Sequence, residues 1–306
     1  MNTSLSKENL RVPQSLLCKA PASMMLFGEH SILRKGKAVV VAVDRWLSVE
    51  IRSQEEKLIE VISSFGRKRC PCNKISLNPS LRFVEAALKR FQPDGCSITI
   101  SSDIDPTMGL GSSASVSVAM MAALSAWTGQ SWSKEKLLEE TISLIRSVQG
   151  CGSGADAASI IYGGVISFDG KGASPLVSSL PLVAKYCGYK TPTPQVVAHV
   201  ATKEKQFPNL FSTLFSSIDT VTNEAISAIE KEDLPLLGEC MNRADGLMHA
   251  LGVGTLELSD ICWRLRKEPT IFGAKISGSG LGDCAIALGS LQKECLPVSS
   301  QGVILQ

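Results

Sequence analysis

Residues 109–127 read GLGSSASVSVAMMAALSAW, a glycine-rich turn followed directly by a run that is small or apolar on every side. A helix without a polar face belongs inside a protein core, and serines that alternate with Ala, Val and Met allow close packing. The run ends at Thr128-Gly129, as a helix does. The stretch therefore predicts a buried helix that begins at a glycine turn.

The turn before this helix is a candidate phosphate site. Unpaired N–H groups and the positive end of the helix dipole favour an anion at a helix amino end, and glycines let the backbone approach it closely. No Gly-Lys-Ser/Thr triplet follows, so the turn is not a common P-loop and Mg²⁺ is the natural source of positive charge. Tight packing of a buried helix explains such turns equally well.

Elements on either side of this helix are clustered by type, which predicts an α+β fold and not a doubly wound parallel sheet. β-branched and alternating residues predict strands at 38–52, 97–102, 194–202, 272–277 and 284–288. Helical spacing predicts helices at 133–148, 233–250 and 256–267, and one through Leu214, Ile218, Val221, Ala225 and Ile229.

A chain of 306 residues exceeds one ordinary core, so we expect two lobes with a cleft between them. The segment at 171–194 is rich in Pro, Ser, Gly and Lys and is the candidate boundary. We divide the chain into an amino-terminal domain, 1–180, which carries the nucleotide loop, and a carboxy-terminal domain, 181–306.

Composition excludes several classes of protein. With 44% hydrophobic residues, 20% charged residues and a net charge of +2, the chain suits neither a nucleic acid nor a membrane as its main partner. We expect a cytoplasmic location and reduced thiols for the ten cysteines. Cys70-Pro71-Cys72 lacks a second cysteine pair for a metal, and the three histidines lack ligand spacing.

Three glycine motifs, at 27–30 (FGEH), 109–115 (GLGSSAS) and 277–284 (SGSGLGDC), occur in an order and spacing that resemble the GHMP family of small-molecule kinases. The resemblance runs from about residue 19 to residue 289. LFGEHSIL at 26–33 and MNRADGLMHALGVGTLEL at 241–258 are similar to mevalonate kinases. VQGCGSGADAASIIYGG at 148–164 and the Gly282-Asp283-Cys284 ending are similar to phosphomevalonate kinases.

The resemblance implies a two-lobed fold with the active site in the cleft and a role for each motif. Asp156 matches the catalytic aspartate, which accepts or orients the hydroxyl proton. Ser113 matches a serine that helps to hold Mg²⁺. The phosphates of ATP would be cradled by Gly109, Leu110, Gly111, Ser112, Ser113 and Ala114. The substrate would contact Glu29, His30, Ser277, Gly278 and Ser279.

Two positions depart from the pattern of mevalonate kinases. Ser23 stands where they carry a lysine, and Ile145 stands where they carry a metal-binding glutamate. The lysine is thought to stabilise developing negative charge, so its loss should slow the reaction unless another cation serves. Lys19, Lys37 and Lys275 are candidates because they lie near the motifs.

The resemblance thus implies ATP-dependent phosphorylation of mevalonate, an alcohol, with ATP and Mg²⁺ as cofactors and a homodimer as one assembly. Two alternatives stay open. Phosphomevalonate is one, because phosphomevalonate kinases also lack the glutamate. A catalytically weak sensor that binds the same ligands is the other, because Ser23 cannot carry a positive charge.

Overall fold

The long strand predicted at 38–52 is the centre of the first sheet. The computed structural model describes residues 14–105, 108–292 and 294–306. Strand β1 (Ser15–Phe27) pairs antiparallel along β2 (Ala38–Ser53), with shifts of register after Pro21 and Met25. The first half of β2 is entirely buried, from Ala38 to Val43. Its second half buries alternate residues, because only one face of that part meets the core.

The first sheet grows outward from this pair and has eight strands among the described residues. The order is β11-β1-β2-β5-β3-β4, with β6 added beside β2 and β7 beside β6. All pairs are antiparallel except β3 with β5. The further strands are β3 (Leu58–Ser63), β4 (Gly66–Pro71), β5 (Cys96–Ser102), β6 (Val165–Phe168), β7 (Ala173–Val177) and β11 (Ile304–Leu305).

In the part of the chain that the structure describes, four α-helices accompany the first sheet, and the predicted buried helix lies centrally among them. They are α1 (Arg82–Phe91), α2 (Ser112–Trp127), α3 (Lys134–Gln149) and α4 (Ala155–Tyr162). Small residues bring α2 close to β1, where the Ser115 hydroxyl donates a 2.8 Å hydrogen bond to the carbonyl of Pro21. Helix α3 begins after Ser133, whose hydroxyl accepts from the amide of Lys136, as an N-cap residue does.

A second sheet and four further helices form the other half of the molecule. The sheet is antiparallel, in the order β8-β10-β9, with β8 (Leu182–Tyr186), β9 (Ile271–Ser277) and β10 (Cys284–Gly289). The helices are α5 (Thr193–Gln206), α6 (Pro208–Glu230), α7 (Leu234–Ala250) and α8 (Leu256–Arg266). The five apolar residues that predicted α6 are all buried along one face.

The strand predicted at 194–202 is wrong, because these residues belong to α5. Valine-rich sequence favours strands in general, but packing decides between the two conformations. Val196 and Val200 are four residues apart and both buried, against a cluster that includes Phe211 and Phe215 of α6. Proline near the first turn suits a helix start. The remaining predicted elements are present, with ends that differ by only a residue or two.

The α+β fold predicted from the sequence is confirmed, with helices and mostly antiparallel strands grouped along the chain. The chain passes from the first sheet to the second between Val177 and Leu182, and β11 at the carboxyl end returns to pair with β1 of the first sheet. Among the helices of the described residues, none has the length and apolar character needed to cross a membrane.

Candidate active site

A cavity of about 610 Å³ opens between the two halves of the molecule. Four segments contribute to its wall: the first motif (27–30), the loop predicted to bind phosphate (109–114, the phosphate loop), the start of α4 with the turn before it (153–156), and the third motif (277–284). These segments are separated by up to about 250 residues in the chain. Only tertiary structure brings them together.

The phosphate loop has the backbone that an anion site requires. Gly109 and Gly111 have φ of 64° and 66°, in the left-handed region, and α2 begins at Ser112. Ser112, Ser113 and Ala114 therefore present the amino end of the helix to the cavity, which they line. Leu110 is buried instead, and its carbonyl accepts a 3.1 Å hydrogen bond from the amide of Ser23.

The two glycines of this loop also leave room for neighbouring polar side chains. A Cβ on Gly111 would lie 2.0 Å from the hydroxyl oxygen of Ser23, and one on Gly109 would lie 1.6 Å from Oδ1 of Asp283. Both approaches are far inside van der Waals contact. The loop is therefore glycine-rich because of its close neighbours as well as its backbone angles.

Asp156 lies in the first turn of α4, and its side chain is exposed to the cavity although protein atoms surround it on its other sides. Its Oδ1 accepts a 2.8 Å hydrogen bond from the Ser23 hydroxyl on β1. Burial by the surrounding protein raises the pKa of the carboxyl, while the Ser23 hydroxyl and the charge of Lys190 oppose that rise. A carboxylate with a raised pKa is a stronger proton acceptor than a fully solvated one.

Glu29 and His30 are held in place by the second half of the chain. Glu29 is buried and pairs with Lys275, which is fully buried on β9 and also donates to the carbonyl of Ile276. His30 Nε2 lies 2.9 Å from the carbonyl oxygen of Ser279, and burial lowers the pKa of the imidazole. The Ser277 hydroxyl donates to the carbonyl of Met25 at 2.8 Å. The first and third motifs are thus bonded directly to each other.

None of the three lysines suggested as substitutes for the missing cation lines the cavity. Lys275 is enclosed with Glu29. Lys37 donates to Asn223 on α6 at 3.1 Å. Lys19 lies on β1 opposite Ser48 of β2 and Ile304 of β11. Nearness to a motif in sequence therefore did not predict nearness to the cavity.

Lys190 and Asp283 are the charged pair of the cavity wall that sequence reasoning did not assign. Lys190 Nζ lies 3.5 Å from Asp283 Oδ2. Burial raises the pKa of Asp283, an effect that Lys190 opposes and Asp156 reinforces. Lys190 lies in the segment interpreted only as a domain boundary, where no pattern indicated a role. Asp283 belongs to the third motif, but its sequence context assigns it no function of its own.

The sequence raised the question of a metal ligand at two places, Ile145 and Cys70-Pro71-Cys72. Ile145 lines the cavity with an apolar side chain and supplies no metal ligand. Cys70 and Cys72, at the end of β4, are free thiols. Within the ranges that the structure describes, no cluster of three His, Cys, Asp or Glu side chains could hold a metal ion.

Family models match both halves of the chain. The model for the GHMP kinases N terminal domain matches residues 79–164, which include the phosphate loop and Asp156. The model for the GHMP kinases C terminal domain matches residues 225–294, which include the third motif. Together they cover about half of the chain.

Individual proteins are similar over nearly the whole length. Mevalonate kinase of Aeropyrum pernix is 31% identical over 283 residues, which are 88% of this chain and 87% of that protein. The solved Lin0012 protein of Listeria innocua has a TM-score of 0.85 at 19% identity, over 95% of this chain and 99% of that one. Mevalonate kinase of L. major, solved in complex with R-mevalonate, has a TM-score of 0.75 at 25% identity, over 90% and 87%.

Proposed function

The chain belongs to the GHMP kinase family, and on that premise we propose that it phosphorylates mevalonate, using ATP as the phosphoryl donor. The acceptor is an alcohol, so the enzyme is a phosphotransferase acting on an alcohol group. Similarity to mevalonate kinases over about nine-tenths of the chain supports mevalonate as that alcohol.

One observation carries the proposal for the site itself. The carboxylate of Asp156 and the amino end of α2 open onto the same cavity, and Ser23 links them by bonding to Asp156 and to the carbonyl of Leu110. A base beside an anion cradle is what direct phosphoryl transfer from ATP to a hydroxyl requires.

The proposed reaction has no covalent enzyme intermediate. The substrate hydroxyl loses its proton to Asp156 as its oxygen forms a bond to the γ-phosphorus of ATP. The bond between that phosphorus and the β,γ-bridging oxygen breaks, and ADP leaves with the electron pair. The phosphate groups of ATP are held by Gly109, Leu110, Gly111, Ser112, Ser113 and Ala114. The substrate is held by Glu29, His30, Ser277, Gly278 and Ser279.

Of these residues, Leu110 and Glu29 mainly hold the backbone of their motifs in position. Leu110 is buried and contributes its backbone to the cradle. Glu29 lines the cavity and has one carboxylate oxygen bonded to Lys275, so the buried lysine fixes the orientation of the first motif. His30 is bonded to Ser279, so it joins the two substrate-binding motifs.

Mg²⁺ fits the oxygen groups of this cavity. Mg²⁺ is usually bound by one or two protein oxygens together with phosphates and water, so it needs no protein cage. The hydroxyl of Ser113 is in the cavity wall, and Asp283 Oδ1 is a buried oxygen without a hydrogen-bond partner among the described residues. We assign Ser113 as the protein ligand; the ion would neutralise charge on the phosphates of ATP.

Phosphomevalonate is the second candidate acceptor. Arg82 and Lys190 both line the cavity, and either cation would suit a second phosphate group. Ile145 and the Gly282-Asp283-Cys284 sequence point the same way. A sensor without catalysis is less well supported, because Asp156 is presented to the cavity with a hydrogen bond that orients it.

The test is ADP production by the purified protein with Mg·ATP and mevalonate, phosphomevalonate, galactose or homoserine, with the product identified by phosphorus NMR. We expect turnover with mevalonate. Turnover with phosphomevalonate alone would replace the acceptor and keep the family chemistry. Binding of mevalonate without turnover on any of the four would favour the sensor.

Three further expectations, about domains, location and assembly, accompany the proposed reaction. We keep the division into domains 1–180 and 181–306, which the change of sheet between Val177 and Leu182 supports, with the last strand returning to the first domain. We also propose a cytoplasmic location and a homodimer. Fractionation of cells and light scattering of the purified protein test these two.

A further inference from the structure

The active-site cavity must hold more negative charge than the phosphate loop can balance, because that loop has no cationic side chain. In phosphoryl transfer, negative charge is spread over the equatorial oxygens of the moving group, and the leaving oxygen gains charge as its bond to phosphorus breaks. Asp156 and Asp283 add two carboxylates to the cavity wall. Ser23, where mevalonate kinases carry a lysine, is fully buried and offers only a hydroxyl, which is already bonded to Asp156.

Lys190 is the cation placed to balance this negative charge. It lies between β8 and α5, and Asp283 Oδ2 is 3.5 Å from its Nζ. The other oxygen of Asp283 fills the space that a side chain on Gly109 would need. A single carboxylate therefore separates the ammonium group from the phosphate loop. The charge of Lys190 also acts on Asp156.

The contacts of Lys190 leave its ammonium available to a ligand. Its side chain is 34% exposed, and 3.5 Å is longer than a strong charge-assisted hydrogen bond of about 2.8 Å. An ammonium group has three donors, so two remain after the contact with Asp283. Lys275, in contrast, is enclosed by its partners.

The other cation of the cavity wall has a different environment. The guanidinium of Arg82 lies over the ring of Phe83, 5.2 Å from its centroid, at the start of α1. Lys190 instead contacts the carboxylate that lies against the phosphate loop. Arg82 therefore suits the rim of the site, and Lys190 suits its reacting centre.

We propose that Lys190, positioned by Asp283, supplies the positive charge that stabilises the transferred phosphoryl group in place of the lysine that Ser23 has replaced. The inference rests on the proposed phosphotransferase function. In it, the stabilising cation comes from the loop that precedes α5 instead of from β1. Asp283 is a positioning residue that holds the ammonium beside Gly109.

The test compares Lys190→Met with Lys190→Arg and with a matched control, Lys185→Met. Lys185 is on β8, its side chain is 38% exposed, and it pairs with Glu294 away from the cavity. Removing a stabilising charge at a reacting centre typically lowers kcat by about 10² to 10³. We expect that fall for Lys190→Met, with KM for the acceptor changed less than about threefold, partial recovery in Lys190→Arg and wild-type kinetics in Lys185→Met.

A binding measurement separates charge stabilisation from a structural role. Mg·ADP with aluminium fluoride and the acceptor imitates the planar phosphoryl group in transfer. Lys190→Met should lose affinity for this mixture by about the same factor as kcat, while its affinity for Mg·ADP alone stays within about threefold. Equal loss of both affinities would show a structural role and overturn the proposal, as would a kcat within about threefold of wild type.

Failure of the proposed function gives a different result from failure of this inference. If the wild-type protein turns over none of the four acceptors, the comparison is made on the affinity for Mg·AMPPNP, an ATP analogue. A loss of at least about tenfold in Lys190→Met and none in Lys185→Met retains Lys190 as a phosphate-facing cation. Equal affinities reject it. If circular dichroism shows that Lys190→Met does not fold, Lys190→Gln replaces it, because glutamine is uncharged but keeps a polar end.

Discussion

The hydroxyl of Ser23 donates a 2.8 Å hydrogen bond to Oδ1 of Asp156, and the two residues are 133 positions apart in the chain. Ser23 is fully buried on β1, so the bond joins the first sheet to the first turn of α4. The same serine donates its amide to the carbonyl of Leu110 in the phosphate loop. Ser23, where the resemblance predicts a lysine, thus links the proposed base to the proposed nucleotide cradle.

Replacing Ser23 with Ala should change the pH dependence of the reaction. The hydroxyl stabilises the ionised form of Asp156, so its removal raises the pKa of a carboxyl that burial has already raised. The base works when ionised, so activity is lost as pH falls through that pKa. We expect the acidic limb of kcat/KM to move to higher pH by about one unit, since hydrogen bonds to charged groups contribute about 1.5–3 kcal/mol.

The control for this measurement is Ser125→Ala. Ser125 is also buried and donates to a backbone carbonyl, that of Ala122, near the far end of α2. Its removal should leave the acidic limb in place. An unmoved limb in Ser23→Ala as well would mean that the Ser23 hydroxyl does not tune Asp156.

Replacing Asp156 with Asn should lower kcat by at least about a hundredfold, because the amide keeps the shape of the carboxylate but cannot accept the proton. Affinity for Mg·ATP should stay near the wild-type value, since the phosphate loop is unchanged. Steady-state kinetics and calorimetry measure the two effects. Asp169→Asn, in the turn between β6 and β7, is the control; a rate for Asp156→Asn equal to that of this control would remove Asp156 from catalysis.

Replacing Gly109 with Ala should abolish tight binding of ATP. Gly109 has a φ of 64°, and an added Cβ would lie 1.6 Å from Oδ1 of Asp283, so either the loop or the third motif must move. Gly246→Ala is the matched control, because Gly246 is within α7 with no atom near its added Cβ. That change should stabilise the protein by up to about 1 kcal/mol. Normal ATP affinity in Gly109→Ala would show that the loop tolerates displacement.

Replacing Lys275 with Met should destabilise the fold, with an effect far larger than on a surface ion pair. Removal of one partner leaves the buried charge of Glu29 uncompensated, which typically costs about 3–5 kcal/mol. Urea denaturation at neutral pH measures the free energy of unfolding. The double variant Glu29→Gln with Lys275→Met should recover much of the loss. A loss below about 1 kcal/mol in the single variant would contradict the pairing.

Much of the fold was accessible from the sequence because its patterns were local. The apolar run of β2, the small residues of α2 and the helical spacing of α6 each predicted an element that the structure contains. The segment at 194–202 was assigned to the wrong class, because a short valine-rich run suits both a strand and a helix. Its contact with Phe211 and Phe215 selects the helix, and that contact is not local.

The candidate site divides in the same way. The motifs at 109–114, 153–156 and 277–284 could be identified from the sequence, since glycines at fixed spacing mark turns wherever the turns lie in space. Their neighbours could not be deduced. Lys275 was suggested for its position two residues before the third motif, yet it points into a closed pair with Glu29.

The sequence by itself determined that the chain has a glycine-rich loop before a buried helix, a candidate base at Asp156 and no lysine at position 23. Tertiary structure alone decided that Lys190 and that loop line the same cavity. Lys190 lies beside Asp283 because β8 and β10 pair in register, which places the end of β8 next to the start of β10. Charge acts through distance in space, and that distance is set by the pairing of strands far apart in the chain.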